Sequence, residues 1–285
     1  MRILKSFVAA FMCVILVLSI TACGNKEEKK KDNNDKGNKP QSVVTTTPEE
    51  IGPSASVAET LPGTVNNQIP GAVGEYERVD SSYFDTAAFV GDSVSLKLSY
   101  YAAATGDLGN AQFFASGSLG SANALWEISD ESVHPTFQGE KMLVEDCIAA
   151  SGANTVYIML GMNDLGLYGL EDTLVNFETL MDKILEKSPS VQINVQSMTP
   201  MTNESYILGD SLNNETIKEY NRRLCEMCER RSWFFIDVAS VMYDANGTAL
   251  NRDYCSDPDD MGVHFTEAGC DEWIEYLKTH AVHYE

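Results

Sequence analysis

The sequence predicts a parallel α/β domain, a sheet covered by helices on both faces, and three observations carry that prediction. Apolar runs of strand length recur through residues 76–285. Segments with helical hydrophobic period lie between them. Two of the runs stop directly at a glycine followed by polar residues, as strands do where a sheet meets its loops.

Taken in order, Ala87-Ala88-Phe89-Val90 is the first strand and stops at Gly91. Ala111 to Ala115 is a short second run. Thr155-Val156-Tyr157-Ile158-Met159-Leu160 is continuous, with the β-branched content of a strand buried on both faces. Val191 to Val195 alternates, and Trp233 to Val238 is the last buried run. Between them, Leu174, Phe177, Met181, Ile184 and Leu185 share one helical face, closed by Ser188-Pro189. Thr216 to Arg230 reads as a second helix, and Glu267 to Thr279 as the last, with Trp273, Ile274 and Leu277 inward. In such sheets ligands bind beyond the carboxyl ends of the strands. Gly91-Asp92-Ser93 and Gly161-Met162-Asn163-Asp164 both fall there.

The N-terminus reads as an export signal over residues 1–22. Arg2 and Lys5 precede an apolar stretch from Phe7 to Ile20, which is short for a bilayer span. The stretch ends in Thr21-Ala22-Cys23 and then turns charged, so cleavage before Cys23 and lipid attachment at Cys23 are expected. That places the protein on the outer face of a bacterial membrane, anchored without a spanning helix. Residues 23–75 are expected to be a flexible linker, rich in Lys, Glu, Asp and Asn and then in Thr, Pro, Ser and Val. Residues 76–285 are expected to form the folded domain.

Residues 1–75 hold eight basic and eight acidic side chains, so the whole net charge of −22 lies in the folded domain. Such a domain repels nucleic acid and other polyanions. Cys147, Cys225, Cys228, Cys255 and Cys270 are an odd set, against a full disulfide framework. Cys225 and Cys228 lie inside a helical pattern with no second ligand pair, so they read as buried thiols and not as a metal site. Cys255 and Cys270 flank His264, where a bridge is an open alternative. A monomer is expected.

Four separated patches carry the chemistry of acyl transfer. Ser93, at a strand-to-helix turn, is the nucleophile candidate, and a serine hydroxyl needs a base to act at neutral pH. A helix-capping serine in the same turn is the plainer reading of Gly-Asp-Ser alone. Asn163 offers a side-chain amide to a developing oxyanion. The stretch Ser116 to Ser121 offers backbone N–H groups, and the Ser93 N–H is a further donor. Of four histidines, His264 is the base candidate, since His134 lies in a loop and His280 and His283 in a tail expected to fray.

Gly91-Asp92-Ser93, Ser116 to Ser121, Gly161-Met162-Asn163-Asp164 and Gly262-Val263-His264-Phe265-Thr266 resemble, in order and spacing, the blocks of the SGNH (GDSL-type) hydrolase family. The resemblance covers roughly residues 83–280. It implies a three-layer α/β/α, flavodoxin-like domain hydrolysing esters through an acyl-enzyme, without metal or organic cofactor, with Gly120 as backbone oxyanion donor and Gly117 in reserve. In that family an aspartate stands three residues before the histidine, and here that position is Met261. A one-residue bulge presenting Asp260 is the expected substitute; Asp257, or a Ser–His dyad, stays open. The expected activity is that of a surface-anchored serine esterase on short-chain acyl esters or O-acetyl carbohydrates. An O-acyltransferase on the same site and a non-catalytic glycan-binding lipoprotein are the alternatives.

Overall fold

In a computed structural model, residues 67–282 are described. The signal segment, Cys23, residues 23–66 of the linker, and His283 lie outside them. In chain order the elements are β1 (Ala87–Gly91), α1 (Ser93–Thr105), β2 (Gln112–Ala115), α2 (Ser121–Ala124), β3 (Thr136–Phe137), β4 (Glu140–Lys141) and α3 (Val144–Ser151). They continue with β5 (Thr155–Met159), α4 (Met162–Lys187), β6 (Gln192–Gln196), α5 (Asn214–Arg231), β7 (Phe234–Ile236), α6 (Ala239–Met242) and α7 (Glu267–Thr279).

Five strands form one parallel sheet in the order β2-β1-β5-β6-β7. Helices α1 and α7 pack together, and α3, α4 and α5 pack in succession, which gives the expected three-layer α/β/α arrangement. Every residue of β1 is buried, as its unbroken apolar run requires. Phe113, Phe89 and Tyr157 stand side by side on β2, β1 and β5, in register. Their rings stack at centroid distances of 4.9 and 4.8 Å. This aromatic ladder braces the strand that ends at the active-site turn; replacing a ring of this kind by alanine costs about 3–5 kcal/mol.

The helices follow their apolar faces. Leu174, Phe177, Met181 and Ile184 are buried on α4, and Trp273, Ile274 and Leu277 on α7. Thr266 caps α7 by accepting the Gly269 N–H. Helix α4 is longer than the pattern suggested, because it begins at Met162 and continues past a break at Gly169 (φ 73°, ψ 178°). Helix α3 and the small β3–β4 hairpin are additions to the expected elements.

Residues 69, 73 and 76 make contacts that a flexible linker to residue 75 would not. Residues 69–76 lie along the edge of the sheet: the Ile69 N–H donates to Asp237 Oδ2 (2.7 Å), Val73 to the Phe235 carbonyl (2.9 Å) and Tyr76 to the Thr279 carbonyl (2.7 Å). Strand β7 is an edge strand, and this strap satisfies part of its exposed backbone. His280 is not frayed either; it stacks on Tyr276 with ring centroids 3.7 Å apart. All five cysteines of the described domain are free and buried, so Cys255 and Cys270 are not bridged.

Candidate active site

The first part of the site is the turn after β1. A Cβ at Gly91 would lie 2.0 Å from Ser95 Oγ and 3.0 Å from the Met159 carbonyl, so the chain reverses there only with glycine. Asp92 caps α1, its Oδ1 accepting the Val94 N–H at 2.9 Å. Burial pushes its carboxyl up to about 6, against the opposing pull of the Val94 N–H and of His264. Ser93 is therefore the first residue of α1, its N–H among the helix-start donors that have no partner within the helix.

His264 Nε2 lies 2.9 Å from Ser93 Oγ, although the two are 171 residues apart. The other ring nitrogen, Nδ1, lies 2.7 Å from Asp257 Oδ2. Asp257 Oδ1 also accepts the backbone N–H groups of Val263 and His264, each at 3.1 Å, and the Cys255 thiol at 3.2 Å. Burial raises the Asp257 pKa, but hydrogen bonds from the His264 ring, the His264 N–H and Cys255 outweigh it and leave the pKa below the ordinary carboxylate value.

Asp260 does not meet the histidine. The segment is a pinched hairpin and not a one-residue bulge: Cys255 pairs with Phe265, and the Ser256 N–H donates to the His264 carbonyl. Asp257 follows directly after that pairing, beside the ring. Residues 258–261 close a turn in which the Asp260 and Gly262 N–H groups both return to the Asp257 carbonyl, with Gly262 at φ 68°. The Asp260 side chain faces solvent, and Asp259 pairs with Arg252.

The second part joins the loop after β2 to the start of α4. Asn163 Nδ2 donates to the Leu119 carbonyl (3.1 Å) and to Asp92 Oδ2 (3.3 Å). The Gly120 N–H donates to Asn123 Oδ1 at 2.8 Å, and the Asn123 amide returns to the Ser118 carbonyl. Asp164 is buried; its Oδ2 accepts the Ser121 N–H and hydroxyl, and its Oδ1 the Ala122 N–H. Gly117, by contrast, has open space around it. The structure thus draws all four sequence patches to one end of the sheet.

A family profile described as the GDSL-like Lipase/Acylhydrolase family matches residues 89–271. The chain belongs to the GDSL family. Among solved structures, this GDSL protein is similar to a candidate platelet activating factor from Streptococcus pneumonia, at 18% identity and a TM-score of 0.51, over 70% of this chain and 87% of that one. It is also similar to a GDSL-like lipase from Bacteroides thetaiotaomicron, at 15% identity and a TM-score of 0.50, over 68% and 86%. At such identities the likeness speaks for the shared fold. Among curated proteins none matches.

As a GDSL-type hydrolase, the protein is an enzyme acting on acyl esters. The sequence places Asp260 ahead of Asp257 as the partner of His264, and gives Asp164 no role beyond its place in the Gly161-Met162-Asn163-Asp164 block. Asn123 has no role in the sequence reading, and Cys255 enters it only as a possible half of a bridge to Cys270. The hairpin pairing that selects Asp257 is long-range and leaves no local signal. Among the described residues no cluster of His, Cys, Asp and Glu is arranged to hold a metal ion, and no helix is long and apolar enough to cross a membrane.

Proposed function

We propose that this is an exported serine esterase, anchored through lipid on Cys23 after removal of residues 1–22 and tethered by the segment from 23 to about 66. The observation that carries the catalytic reading is the hydrogen-bonded series Ser93–His264–Asp257, at 2.9 and 2.7 Å. In the reaction His264 Nε2 takes the Ser93 proton as Oγ attacks the ester carbonyl. Asp257 holds Nδ1–H and stabilises the imidazolium. The tetrahedral intermediate collapses as His264 returns the proton to the leaving alcohol; water then repeats the sequence on the acyl-enzyme. The Ser93 N–H, the Asn163 amide and the Gly120 N–H are the oxyanion donors, each of a kind whose loss costs about 3–4 kcal/mol.

The substrate class is a short-chain acyl ester, with an O-acetyl carbohydrate as the favoured form. A net charge of −22 disfavours polyanionic substrates. The exposed Tyr206 lies on the segment after β6, its N–H donating to the Asp260 carbonyl of the histidine hairpin, and such a ring suits a sugar face. The Ser93–His264–Asp257 contacts favour an enzyme over a non-catalytic glycan binder. Turnover of p-nitrophenyl acetate and labelling by a fluorophosphonate, both abolished in Ser93→Ala, test the reading. Wild-type protein that neither turns over the ester nor labels would refute it. Products analysed with and without a sugar acceptor separate hydrolysis from acyl transfer.

A further inference from the structure

Asp164 is a fully buried carboxylate outside the Ser93–His264–Asp257 series, and no salt bridge in the described structure neutralises it. A buried charge of this kind persists only when hydrogen bonds replace its lost water. Here they do: the Ser121 N–H at 2.8 Å, the Ser121 hydroxyl at 3.1 Å and the Ala122 N–H at 3.0 Å. All three donors belong to the two residues that follow Gly120. Both Asp164 oxygens also lie 2.7 Å from where a Gly120 Cβ would stand, so the carboxylate fills the space that the glycine leaves. On its own chain, Asp164 is the neighbour of Asn163 in the first turn of α4.

We infer that Asp164 is a positioning residue that fixes the Gly120 loop against Asn163, setting the spacing of the two donor arms that receive the oxyanion. The inference rests on the esterase reading. Asn163 alone ties the loop by a neutral bond to the Leu119 carbonyl. Asp164 adds charge-assisted bonds on the far side of Gly120, and such bonds are shorter and stronger than neutral ones. The loop is thereby gripped on both sides of the donor glycine by consecutive residues of one rigid helix. A donor arm displaced by a fraction of an ångström loses most of its value at the transition state and little at the ground state.

Asp164→Asn tests this, because it preserves shape while turning an N–H donor toward the Ser121 N–H. The expected result with p-nitrophenyl acetate is a kcat about a hundredfold lower, KM within about threefold, and a comparable loss of affinity for a boronic acid that adds to Ser93. The acid limb of the pH–rate profile is expected to stay in place, since the Ser93–His264 pair is untouched. Should Asp164→Asn fail to fold, Gly120→Ala provides the second measurement. Its backbone (φ −131°) accepts alanine, and the three atoms nearest its methyl all belong to the Asp164 carboxylate, so the same split of kcat from KM is expected. Unchanged boronate affinity in a folded variant, a loss shared equally by kcat and KM, or a shifted acid limb would each overturn the inference. Failure of the esterase reading looks different: the wild-type protein itself would neither turn over the ester nor bind the boronate.

Discussion

The two halves of the site are prepared to different degrees. On the proton-transfer side, Ser93, His264 and Asp257 already stand at working distances. On the proposed oxyanion side, two of the three donors are engaged internally: the Gly120 N–H by Asn123, and the Asn163 amide by Leu119 and Asp92. The difference follows from chemistry. A histidine between a hydroxyl and a carboxylate is satisfied with or without substrate, so its geometry can be held permanently. An oxyanion exists only during the reaction, and N–H groups left waiting for it in a protected cleft would be unpaired donors that cost stability. Internal acceptors hold the donors until a stronger, charged acceptor arrives.

The largest effect should come from breaking the prepared half. Ser93→Ala and His264→Ala are each expected to lower kcat by about 10⁵–10⁶, with the double variant no worse, because the two act as one unit. Clear additivity in kcat would show that they do not. Asp257→Ala is expected to cost about 10⁴-fold, whereas Asp260→Ala stays within about twofold, its carboxylate facing solvent. Equal effects at 257 and 260 would break the assignment made from the hairpin.

On the second half the effects are smaller. Asn163→Ala should lower kcat by about 10²–10³-fold with KM little changed, and an unaltered kcat would remove Asn163 from the oxyanion donors. Asn123→Ala sharpens the comparison, since it deletes the internal acceptor and leaves the Gly120 N–H in place. Stability should fall by about 1 kcal/mol in urea unfolding for the lost cap, with kcat/KM kept within about threefold. A hundredfold loss of kcat/KM would make Asn123 part of the working geometry and not a placeholder.

A separate effect is on stability alone, at a buried carboxylate away from the proton-transfer side. Burial pushes Asp237 up to about 6, partly offset by the Ile69 N–H and the Ser197 hydroxyl. A pKa raised in the folded state contributes stability fully present below about pH 4 and lost as pH rises through 6. Relative to Asp237→Asn, the wild-type protein should therefore lose up to about 3 kcal/mol between pH 4 and pH 7 in urea unfolding. A constant difference across that range would mean that Asp237 does not titrate there. Asp257 runs the other way, its contribution being lost only as pH falls below the ordinary carboxylate range.

What could be read from the sequence divides along the same physical line. Helix α7 begins and ends where its apolar period and Thr266 place it, and β1 and β5 lie where their apolar runs lie, because those signals are local. Ser93, Asn163 and His264 are brought to one end of the sheet because each adjoins a regular element. Asp257 was not ranked first because its place depends on Cys255 pairing with Phe265, ten residues away across a turn. The strap at Ile69 and Val73 was hidden for a similar reason. Its composition is that of a linker, and only the open edge of β7 gives it a partner. The contacts of Asn123 with Gly120, and of Asp164 with Ser121 and Ala122, are ones that no local pattern announces.

The strap has a topological consequence. The Tyr76 and Val79 N–H groups donate to the Thr279 and Lys278 carbonyls, Arg78 pairs with Glu275, and the Tyr83 hydroxyl reaches the Val282 carbonyl. The beginning of the folded domain is thus sewn to its end along α7. A few residues could join Val282 to Tyr76, and the chain could be reopened at Gln138–Gly139, the hairpin tip with both φ angles positive. Such a circular permutant would keep every parallel strand beside its neighbour, and the chain would begin and end at the small hairpin between α2 and α3.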